Sequence, residues 1–392
     1  MNGNSADVII IGAGIAGNSA AYYCKKKGMS VIVLEEEMIG HGGSSRNGGG
    51  ARQSGRDPRE IQLAIYATKN IWPKLKDELG VDPEYRQGGY LVCGYDENHK
   101  KSITDRVKTA ADVGLEMTVV EGDDIRKINP YVSDHVTVAG WTPTDGVANP
   151  MAATLGFYKR AREMGVRFIT GEKAIKIVMN DGFARKVVTE RGNVYEGGKI
   201  ILACGYGGRA LMNTVGLDVP MFKRLIEAII TEPVKPMFHH MIGGMNGFYG
   251  HQCNNGTFVF GNGTGRERCM SEVAGIPSTE YNASNICRTV GEDLPFLNNL
   301  KVIRNWAGWV DMMNDGVPVI DAPKEVPNLI IDIGATGHGF CPGPAVGYTL
   351  SQLANEEPTD VDISMLGYER FDYAVTQERF CYKGSGGVLS NT

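Results

Sequence analysis

Apolar positions recur along this chain with two different spacings, which predict two kinds of element. Continuous apolar runs are typical of buried parallel strands, and they occupy residues 7–11, 31–35, 166–169, 199–204 and 328–334. Helical spacing of apolar residues is found at 18–28, 58–79, 151–164 and 345–354, and a more polar helix is predicted at 99–113. Short strand-like runs lie at 89–93, 136–140, 173–179, 184–190, 225–231 and 257–260. The pattern predicts a parallel sheet with helices, into which antiparallel strands are inserted.

The first forty residues contain a complete βαβ nucleotide-binding pattern. An apolar strand leads into Gly12, which allows a tight turn, Gly14, which allows a phosphate to approach the backbone, and Gly17, which allows close helix packing. The start of the next helix offers N–H groups and a positive dipole end. Glu35 ends the second strand and is placed to bind ribose hydroxyls, which argues against a 2′-phosphate. A glycine turn kept for packing alone is the alternative, and the register of all these features favours a dinucleotide.

The order of the elements predicts an α/β fold, α+β overall, with two interleaved domains. A Rossmann-like nucleotide domain is expected at residues 1–82, 146–216 and 321–371. A mainly antiparallel β domain for the substrate is expected at residues 83–145 and 217–320, with a weakly ordered tail at 372–392.

Two further glycine-rich segments receive different interpretations. Residues 40–52 follow the βαβ unit directly and are predicted to lie against a ligand, with a surface loop as the alternative. Residues 261–265 lack the spacing of a nucleotide turn and precede no apolar helix face, so they predict a hairpin turn. Because no second fingerprint follows, NAD(P)H is not expected as a co-substrate.

Composition and charge limit the classes of partner. The chain has 392 residues, of which 42% are hydrophobic and 22% charged, and its net charge of −5 provides no basic surface for nucleic acid or anionic membranes. The eight cysteines form no CxxC pair and no metal-ligand spacing with histidine, so no metal site is expected. The N-terminus lacks a signal-peptide pattern and no apolar run approaches the ~18 residues that span a bilayer. We expect a cytoplasmic protein.

Four motifs, taken in order, give the chain a specific resemblance. They are Gly12 to Gly17 with Glu35, the run Ser44-Ser45-Arg46-Asn47-Gly48-Gly49, the run Asp315-Gly316-Val317-Pro318, and Gly337-His338-Gly339-Phe340 followed by Pro344-Ala345-Val346-Gly347. Over residues 7–371 the chain resembles the D-amino-acid oxidase superfamily of flavoproteins. The similarity is greatest to sarcosine oxidases, glycine oxidases and the β-type subunits of amino-acid and opine dehydrogenases.

The resemblance implies one FAD, bound without a covalent link between the two domains. The cysteine that tethers flavin in monomeric sarcosine oxidases has no counterpart in 306–314, and Asn149-Pro150 replaces the pair that marks a second flavin. The residues implied to contact FAD are Gly12, Gly14, Ile15, Ala16, Gly17, Glu35, Glu36, Ser44, Ser45, Asn47, Gly48, Gly49, Ala174, Ala203, Gly205, Gly334, Gly337, His338, Gly339 and Phe340.

The family's usual substrate anchors are missing from this chain. Cys341 stands where sarcosine oxidases have a lysine, and Val310 where glycine oxidases have an arginine. Arg52 follows the run Ser44 to Gly49, which the resemblance implies to be the flavin loop, and it is the best remaining carboxylate anchor, unless it is a surface residue paired with Glu60 or a neighbouring acid. We therefore name Arg52, Cys341 and His338 as candidate catalytic residues, although a packing role in the turn is favoured for His338. Trp306, Trp309, Met312 and Met313 form either a lid over the ring or plain core.

The resemblance implies oxidation of a C–N bond in an amino acid or secondary amine, by hydride transfer to the flavin and hydrolysis of the imine. One alternative is a 2-hydroxy-acid or polyol dehydrogenase, which needs a base for the hydroxyl proton, and His251 and His240 are candidates. Another is a flavin-bearing subunit that transfers electrons within a larger complex. The acceptor is oxygen, a protein or a quinone, and partner subunits are compatible with the pattern.

Overall fold

The computed structural model describes residues 3–262 and 280–371. In this part of the chain the α-helices are α1 (Ile15–Lys26), α2 (Pro58–Tyr66), α3 (Leu75–Leu79), α4 (Glu97–Asp112), α5 (Asp123–Ile128), α6 (Pro150–Glu163), α7 (Gly208–Asn213), α8 (Glu280–Asp293) and α9 (Gly343–Ala354). The strands are β1 (Ser5–Ile11), β2 (Val31–Glu35), β3 (Gly50–Ala51), β4 (Tyr90–Gly94), β5 (Thr118–Glu121), β6 (Val138–Thr142), β7 (Gly146–Val147), β8 (Arg167–Thr170), β9 (Ala174–Asn180), β10 (Phe183–Thr189), β11 (Val194–Leu202), β12 (Met221–Thr231), β13 (Met241–Gly244), β14 (Phe248–Gln252), β15 (Phe258–Asn262), β16 (Val302–Met313), β17 (Val319–Asp321) and β18 (Leu329–Ile333).

The first sheet is the predicted parallel sheet. Its main path runs β17-β18-β11-β1-β2-β8, and β18, β11, β1, β2 and β8 are parallel. These strands are apolar on both faces because helices cover one side and a second apolar cluster covers the other. Since the strands are parallel, the loops that follow their carboxyl ends all lie at the same end of the sheet. Gly12 follows β1 there, and Ala203 follows β11.

Helices α1 and α9 pack closely on one side of this sheet and against each other. A methyl group added to Gly347 of α9 would lie 2.5 Å from the backbone nitrogen of Ala20 and 2.8 Å from the carbonyl oxygen of Ala16. The two helix backbones therefore meet at a glycine, which explains the glycine in the Pro344 to Gly347 motif better than turn formation does.

The second sheet is mainly antiparallel, as predicted. Its order is β16-β12-β15-β14-β13-β4-β6-β5, with a single parallel pair between β13 and β4 among its described strands. The strands come from 90–142 and 221–313, within the segments assigned to the substrate domain. The α/β fold class is confirmed, whereas the domain boundaries stay a prediction.

The predicted helix over 58–79 is not continuous. The chain leaves α2 at Tyr66, passes through a π turn and a 3₁₀ turn, and resumes as α3 at Leu75. Pro73 lies in the 3₁₀ turn, where it lacks the N–H of a helical hydrogen bond and its ring crowds the preceding turn. Apolar spacing alone did not reveal this break.

Two predictions fall outside the described residues: the hairpin at Gly261 to Gly265 beyond Asn262, and the tail at 372–392. Within the described residues, no helix is both long enough and apolar enough to cross a bilayer.

Candidate functional site

The nucleotide fingerprint forms a sharp turn between β1 and α1. The N–H of Gly12 donates to Leu34 O at 2.8 Å, and the N–H of Ala203 donates to Ile11 O at 2.9 Å. Gly12 has φ +102°, and a methyl group there would lie 2.4 Å from Ala203 O. A methyl group on Gly17 would lie 2.0 Å from Gly12 O. Both positions therefore require glycine. The predicted residues Gly12 and Ala203 are in contact at the carboxyl ends of β1 and β11.

The residues around this turn fit a dinucleotide. Glu35 accepts the N–H of Ala13 at 2.8 Å through Oε2 and that of Glu37 at 2.9 Å through Oε1. Because a carboxylate has about four acceptor positions, Glu35 retains capacity for the two hydroxyls of a ribose. A methyl group on Gly14 would contact only Ser44 Oγ, at 3.1 Å, so Gly14 presents bare backbone beside the start of α1. We call the row of residues from Gly14 past Glu35 to Ala174 the groove.

Further along the groove, the predicted residues Glu36 and Ala174 lie near each other in space. Lys173, which precedes Ala174 in the chain, pairs with Glu36 at 3.1 Å. The N–H of Glu172 donates to Glu35 O at 3.0 Å, so the start of β9 lies against the end of β2. Glu36 and the start of β9 are therefore neighbours beside the end of β2, and their contact with an adenine stays a prediction.

The glycine-rich segment 40–52 is held between the two sheets. Ser44 Oγ accepts the N–H of Ile15 at 2.9 Å, which joins the loop to the start of α1. Asn47 Oδ1 accepts the N–H of Gly49 at 2.9 Å, and the indole of Trp306 donates to Arg46 O at 3.0 Å. Ser45 instead donates to His41 O at 3.0 Å, within its own turn. The segment thus contacts the start of α1 and β16 of the second sheet, and its position against a ligand stays a prediction.

The turn after β18 is held by β16 of the second sheet. Asp311 Oδ2 accepts the N–H groups of Gly334 at 3.1 Å and Ala335 at 3.2 Å, and Asp311 O accepts the N–H of Thr336 at 2.9 Å. Burial raises the pKa of Asp311 to about 6, although the hydrogen bonds from Ala335 and Gly334 oppose it. A methyl group on Gly205 would lie 3.8 Å from Asp311 Oδ2, so the ends of β11, β16 and β18 converge here.

A buried ionic cluster ties α2 to the same turn. Glu60 Oε1 lies 3.5 Å from Arg56 Nη1 and 3.1 Å from His338 Nδ1, and Arg56 Nη2 donates to His338 O at 2.9 Å. Burial raises the pKa of Glu60, but Arg56 and His338 outweigh it and the net shift is downward. Burial lowers the pKa of His338 more than Glu60 raises it. Because ionised Glu60 can only accept, neutral His338 carries its proton on Nδ1 and a lone pair on Nε2.

A cavity of about 570 Å³ lies between this turn, the flavin loop and the face of the second sheet. Its wall combines apolar and aromatic side chains with polar and charged ones, which include four arginines. The residues that line it include Gly48, Arg52, Arg56, Asp57, Tyr90, Arg106, Phe222, Arg224, Ile226, Met241, Tyr249, Met312, Met313, Asp315, Gly337, His338 and Phe340.

Arg52 lies in the cavity wall, and it does not have Glu60 as the partner that the alternative interpretation gave it. Glu60 pairs with Arg56 instead, so the alternative in which Arg52 pairs with Glu60 at the surface is wrong: Glu60 is buried, and Arg56, which precedes α2, lies 3.5 Å from it. Arg52 is half-buried, and its Nη1 donates to Ser54 O. The following segment is fixed by buried Asp145, which accepts hydrogen bonds from Gln53 N–H at 2.6 Å and from the Ser54 hydroxyl.

Cys341 is separated from the cavity, unlike Arg52 and His338. Its side chain is fully buried in the core of the first sheet, and burial raises the pKa of its thiol to about 12. The indole of Trp72 donates to Cys341 O at 2.8 Å. The structure therefore brings Arg52 and His338 to one cavity and leaves Cys341 in a packing position.

Of the residues considered for a lid, Met312 and Met313 line the cavity. Trp306 packs on the flavin loop, and Trp309 lies near Lys223, whose Nζ is 5.8 Å from the centre of the ring. Neither tryptophan is part of the described cavity wall.

The two histidines considered as bases lie behind the wall. His251 Nε2 is 3.0 Å from Gly48 O and its Nδ1 is 3.1 Å from Gln252 O, while burial lowers the pKa of His251 to about 4. His240 Nδ1 is 2.9 Å from Met241 O. Neither ring is among the described residues that line the cavity.

Sequence reasoning missed Arg224, Arg106, Asp311 and the Glu60–His338 contact. Arg224 alternates with Phe222 and Ile226 on β12, and all three face the cavity. This alternation can be recognised in the sequence, but which face of β12 borders the cavity depends on how the two sheets pack.

Comparison with known proteins gives consistent results. A family model described as FAD dependent oxidoreductase matches residues 7–353. The beta subunit of sarcosine oxidase from Arthrobacter sp is 25% identical over 378 residues, covering 94% of this chain and 91% of that protein. L-proline dehydrogenase from P. horikoshii has a TM-score of 0.86 at 25% identity, covering 94% of this chain and 98% of that one. Glycine oxidase from Geobacillus kaustophilus shares the fold, with a TM-score of 0.87 at 16% identity, covering 94% and 100%.

The buried cluster generates a stability prediction. Glu60→Gln should lower the free energy of unfolding by roughly 3–5 kcal/mol, because it leaves the Arg56 charge buried without its counter-ion. The measurement is urea unfolding followed by circular dichroism. Glu163→Gln is the matched control, since Glu163 pairs with Arg160 at 3.3 Å on an exposed surface and should matter by less than about 1 kcal/mol. Equal losses in the two variants would contradict the importance of the buried pair.

Proposed function

Because the chain belongs to the family of FAD-dependent oxidoreductases, we propose that it oxidises the C–N bond of an amine or amino acid in the cavity beside His338 and Arg52. The observation that carries this proposal is the meeting of the flavin loop, the turn after β18 and an arginine-bearing cavity in one place. The relatives named above for sarcosine and proline support an amine substrate.

We assign the cofactor to the groove along the first sheet. Glu35 would bind the ribose, the turn at Gly12 and Gly14 with the start of α1 would bind the pyrophosphate, and Ser44 and Asn47 would lie along the flavin. The other predicted residues of the groove keep the same assignment. The binding is noncovalent in this proposal, because no cysteine occurs in 306–314.

The reaction removes a hydride from the carbon beside nitrogen and a proton from the nitrogen, which leaves a C=N bond that water hydrolyses to a carbonyl and an amine. Bound FAD would supply the acceptor for the two electrons. The chain's own groups position the substrate: Arg52 holds a carboxylate, and the apolar wall around Met312 excludes water from the reacting carbon.

His338 is the group best placed to accept a proton from the amine. It borders the cavity, and its Nδ1–H donates to Glu60, so the lone pair on Nε2 is the free acceptor of the neutral ring. Neutral His338 suits this role, because an imidazolium would repel a cationic amine.

The two histidines first considered as bases for a hydroxy acid, His251 and His240, are not among the described residues of the cavity wall, and one nitrogen of each ring lies near a backbone carbonyl. His338 could accept a proton from a hydroxyl as well as from an amine. The preference for an amine therefore rests on the relatives named for sarcosine and proline.

Assembly with partner subunits is a further part of the proposal. Two relatives that align with almost the whole of this chain are named as subunits, one of a sarcosine oxidase and one of an opine oxidase. We propose that this chain also passes electrons within a larger assembly when its partners are present, while retaining its own amine site.

The cofactor assignment predicts that the purified protein is yellow and releases FAD into the supernatant on acid precipitation. Gly14→Val should abolish FAD binding, because its branched side chain projects toward Ser44 where the backbone must approach the pyrophosphate. Flavin absorbance of the purified variant measures this, with circular dichroism as the control for folding. A folded Gly14→Val protein with full flavin content would refute the assignment.

Arg52 provides the test of the substrate site. Secondary amines and amino acids should bleach the flavin absorbance under anaerobic conditions, and Arg52→Ala should weaken apparent binding of the best carboxylated substrate by roughly 2–4 kcal/mol, because a charge-assisted contact is lost in a desolvated site. Arg52→Lys should restore binding only in part, since an ammonium lacks the planar fork. The FAD spectrum should stay intact.

The matched control for this experiment is Arg288→Ala, which removes a guanidinium from an exposed position on α8. Its half-saturation concentration should equal that of the unmodified protein. An Arg52→Ala variant that also titrates like the unmodified protein would show that another group holds the carboxylate, or that the substrate has none.

A further inference from the structure

Arg56 lies just before α2, and its guanidinium joins three separate segments of the chain. Its Nε donates to Arg52 O at 3.0 Å, and its Nη2 donates to His338 O at 2.9 Å. Its Nη1 lies 3.5 Å from Glu60 Oε1. One buried group therefore contacts the backbone of both residues to which the proposed function gives a role, the carboxylate anchor and the proton acceptor.

The chain between Arg52 and Arg56 is closed into a tight turn. Arg52 Nη1 donates back to Ser54 O, and the Ser54 hydroxyl donates to buried Asp145. Gly55 has φ +68°, a left-handed conformation that favours glycine, and a methyl group there would lie 3.3 Å from Arg52 Nη1. The turn therefore fixes where the guanidinium of Arg56 meets the carbonyl of Arg52.

The other end of the contact is the turn after β18. The N–H of His338 donates to Ala335 O at 2.8 Å, within that turn. In the described part of the chain, the hydrogen bonds that reach His338 from outside its turn come from Arg56, at the carbonyl oxygen, and from Glu60, at Nδ1. The position of the ring relative to Arg52 therefore depends on these two residues.

The ion pair itself is poorly suited to stabilise the fold. Arg56 Nη1 is buried and has no hydrogen-bond partner among the described residues, and its 3.5 Å distance from Glu60 exceeds the usual range of such a bond. Loss of one partner from a buried pair is costly, but replacement of both by apolar side chains is often neutral or stabilising. The two carbonyl contacts are therefore the specific consequence of an arginine at this position.

We propose that Arg56 is a positioning residue that keeps Arg52 and His338 at a fixed separation, so that a carboxylate bound at Arg52 presents its amine to the ring of His338. This rests on the proposed function and adds a residue to it. Arg56 borders the cavity, but its side chain is only 2% exposed, so it acts through the two carbonyl oxygens rather than by contact with the substrate. A small shift of either group would separate the amine from its acceptor.

The first test is Arg56→Lys in the FAD-loaded full chain. Lysine keeps the charge beside Glu60, but its single nitrogen cannot replace two donors of a planar fork. Anaerobic bleaching with the best carboxylated amine should show a limiting rate at least about tenfold lower and a half-saturation concentration at least about fivefold higher. A folded, FAD-loaded variant with both parameters unchanged would overturn the proposal.

Arg126→Lys is the matched control. Arg126 of α5 also joins backbone segments, because it donates to Gly122 O and Val136 O at 3.0 Å and to Ser133 O at 2.8 Å. It is not among the described residues of the cavity wall. Its substitution should leave the limiting rate and the half-saturation concentration unchanged. Equal losses in both lysine variants would reveal a general loss of structure and contradict a positioning role.

Double-mutant cycles separate the two contacts. In an Arg52→Ala background, Arg56→Lys should no longer change the half-saturation concentration, because the anchor that it positions is gone. In a His338→Gln background, Arg56→Lys should no longer change the limiting rate. Effects of Arg56→Lys that stay the same in both backgrounds would contradict action through these residues.

A second variant covers the case in which Arg56→Lys does not fold. Arg56→Met combined with Glu60→Met removes both charges together, so no buried ion is left without its partner. Binding of propanoate, which is not an amine, is read from the perturbation of the flavin spectrum and should weaken at least about fivefold as Arg52 loses its support. Unchanged propanoate affinity in the folded variant would overturn the proposal. If no amine bleaches the flavin of the unmodified protein, the proposed function is refuted, and the propanoate titration still tests the positioning of Arg52.

Discussion

Four hydrogen bonds between β16 and the turn after β18 hold together the two halves of the site. Asp311 accepts the N–H groups of Gly334, Ala335 and Thr336 through its carboxylate and its carbonyl oxygen, and Thr336 Oγ accepts the N–H of Met313 at 3.3 Å. The turn follows β18 of the first sheet, whereas β16 belongs to the second sheet, which forms part of the cavity wall. This contact joins the turn to the second sheet, and together with Arg56 and Glu60 it positions His338.

Charged groups buried around the cavity carry a large desolvation penalty, so each of them has to be held by a specific partner. Arg56 and Glu60 are almost fully buried, and each leaves a large desolvation penalty if its partner is removed. Asp145 uses its buried carboxyl to hold the backbone that follows Arg52, although burial raises the pKa of Asp145. These groups restrict the orientation of His338 and Arg52, and orientation is what a flavoenzyme must supply to a reaction whose chemistry resides in its cofactor.

The local parts of the architecture were predictable from the sequence, and the contacts between distant segments were not. The β1–α1–β2 unit follows from glycine spacing and an apolar run within forty residues. The break at Pro73 was missed because the apolar spacing continues across it. Glu60 was considered only as an alternative surface partner of Arg52, whereas it is buried beside Arg56 and His338. Arg224 could be placed on one face of β12 from its alternation, yet only the packing of the two sheets shows that this face borders the cavity.

The most direct test of amine oxidation is a single anaerobic turnover with a substrate labelled with ¹⁵N in the amine. Mass spectrometry would count the released amine and the carbonyl product against the loss of flavin absorbance. Our account predicts one equivalent of each per FAD that is bleached. Bleaching by a hydroxy acid with no amine among the products, while all amines leave the spectrum unchanged, would contradict it.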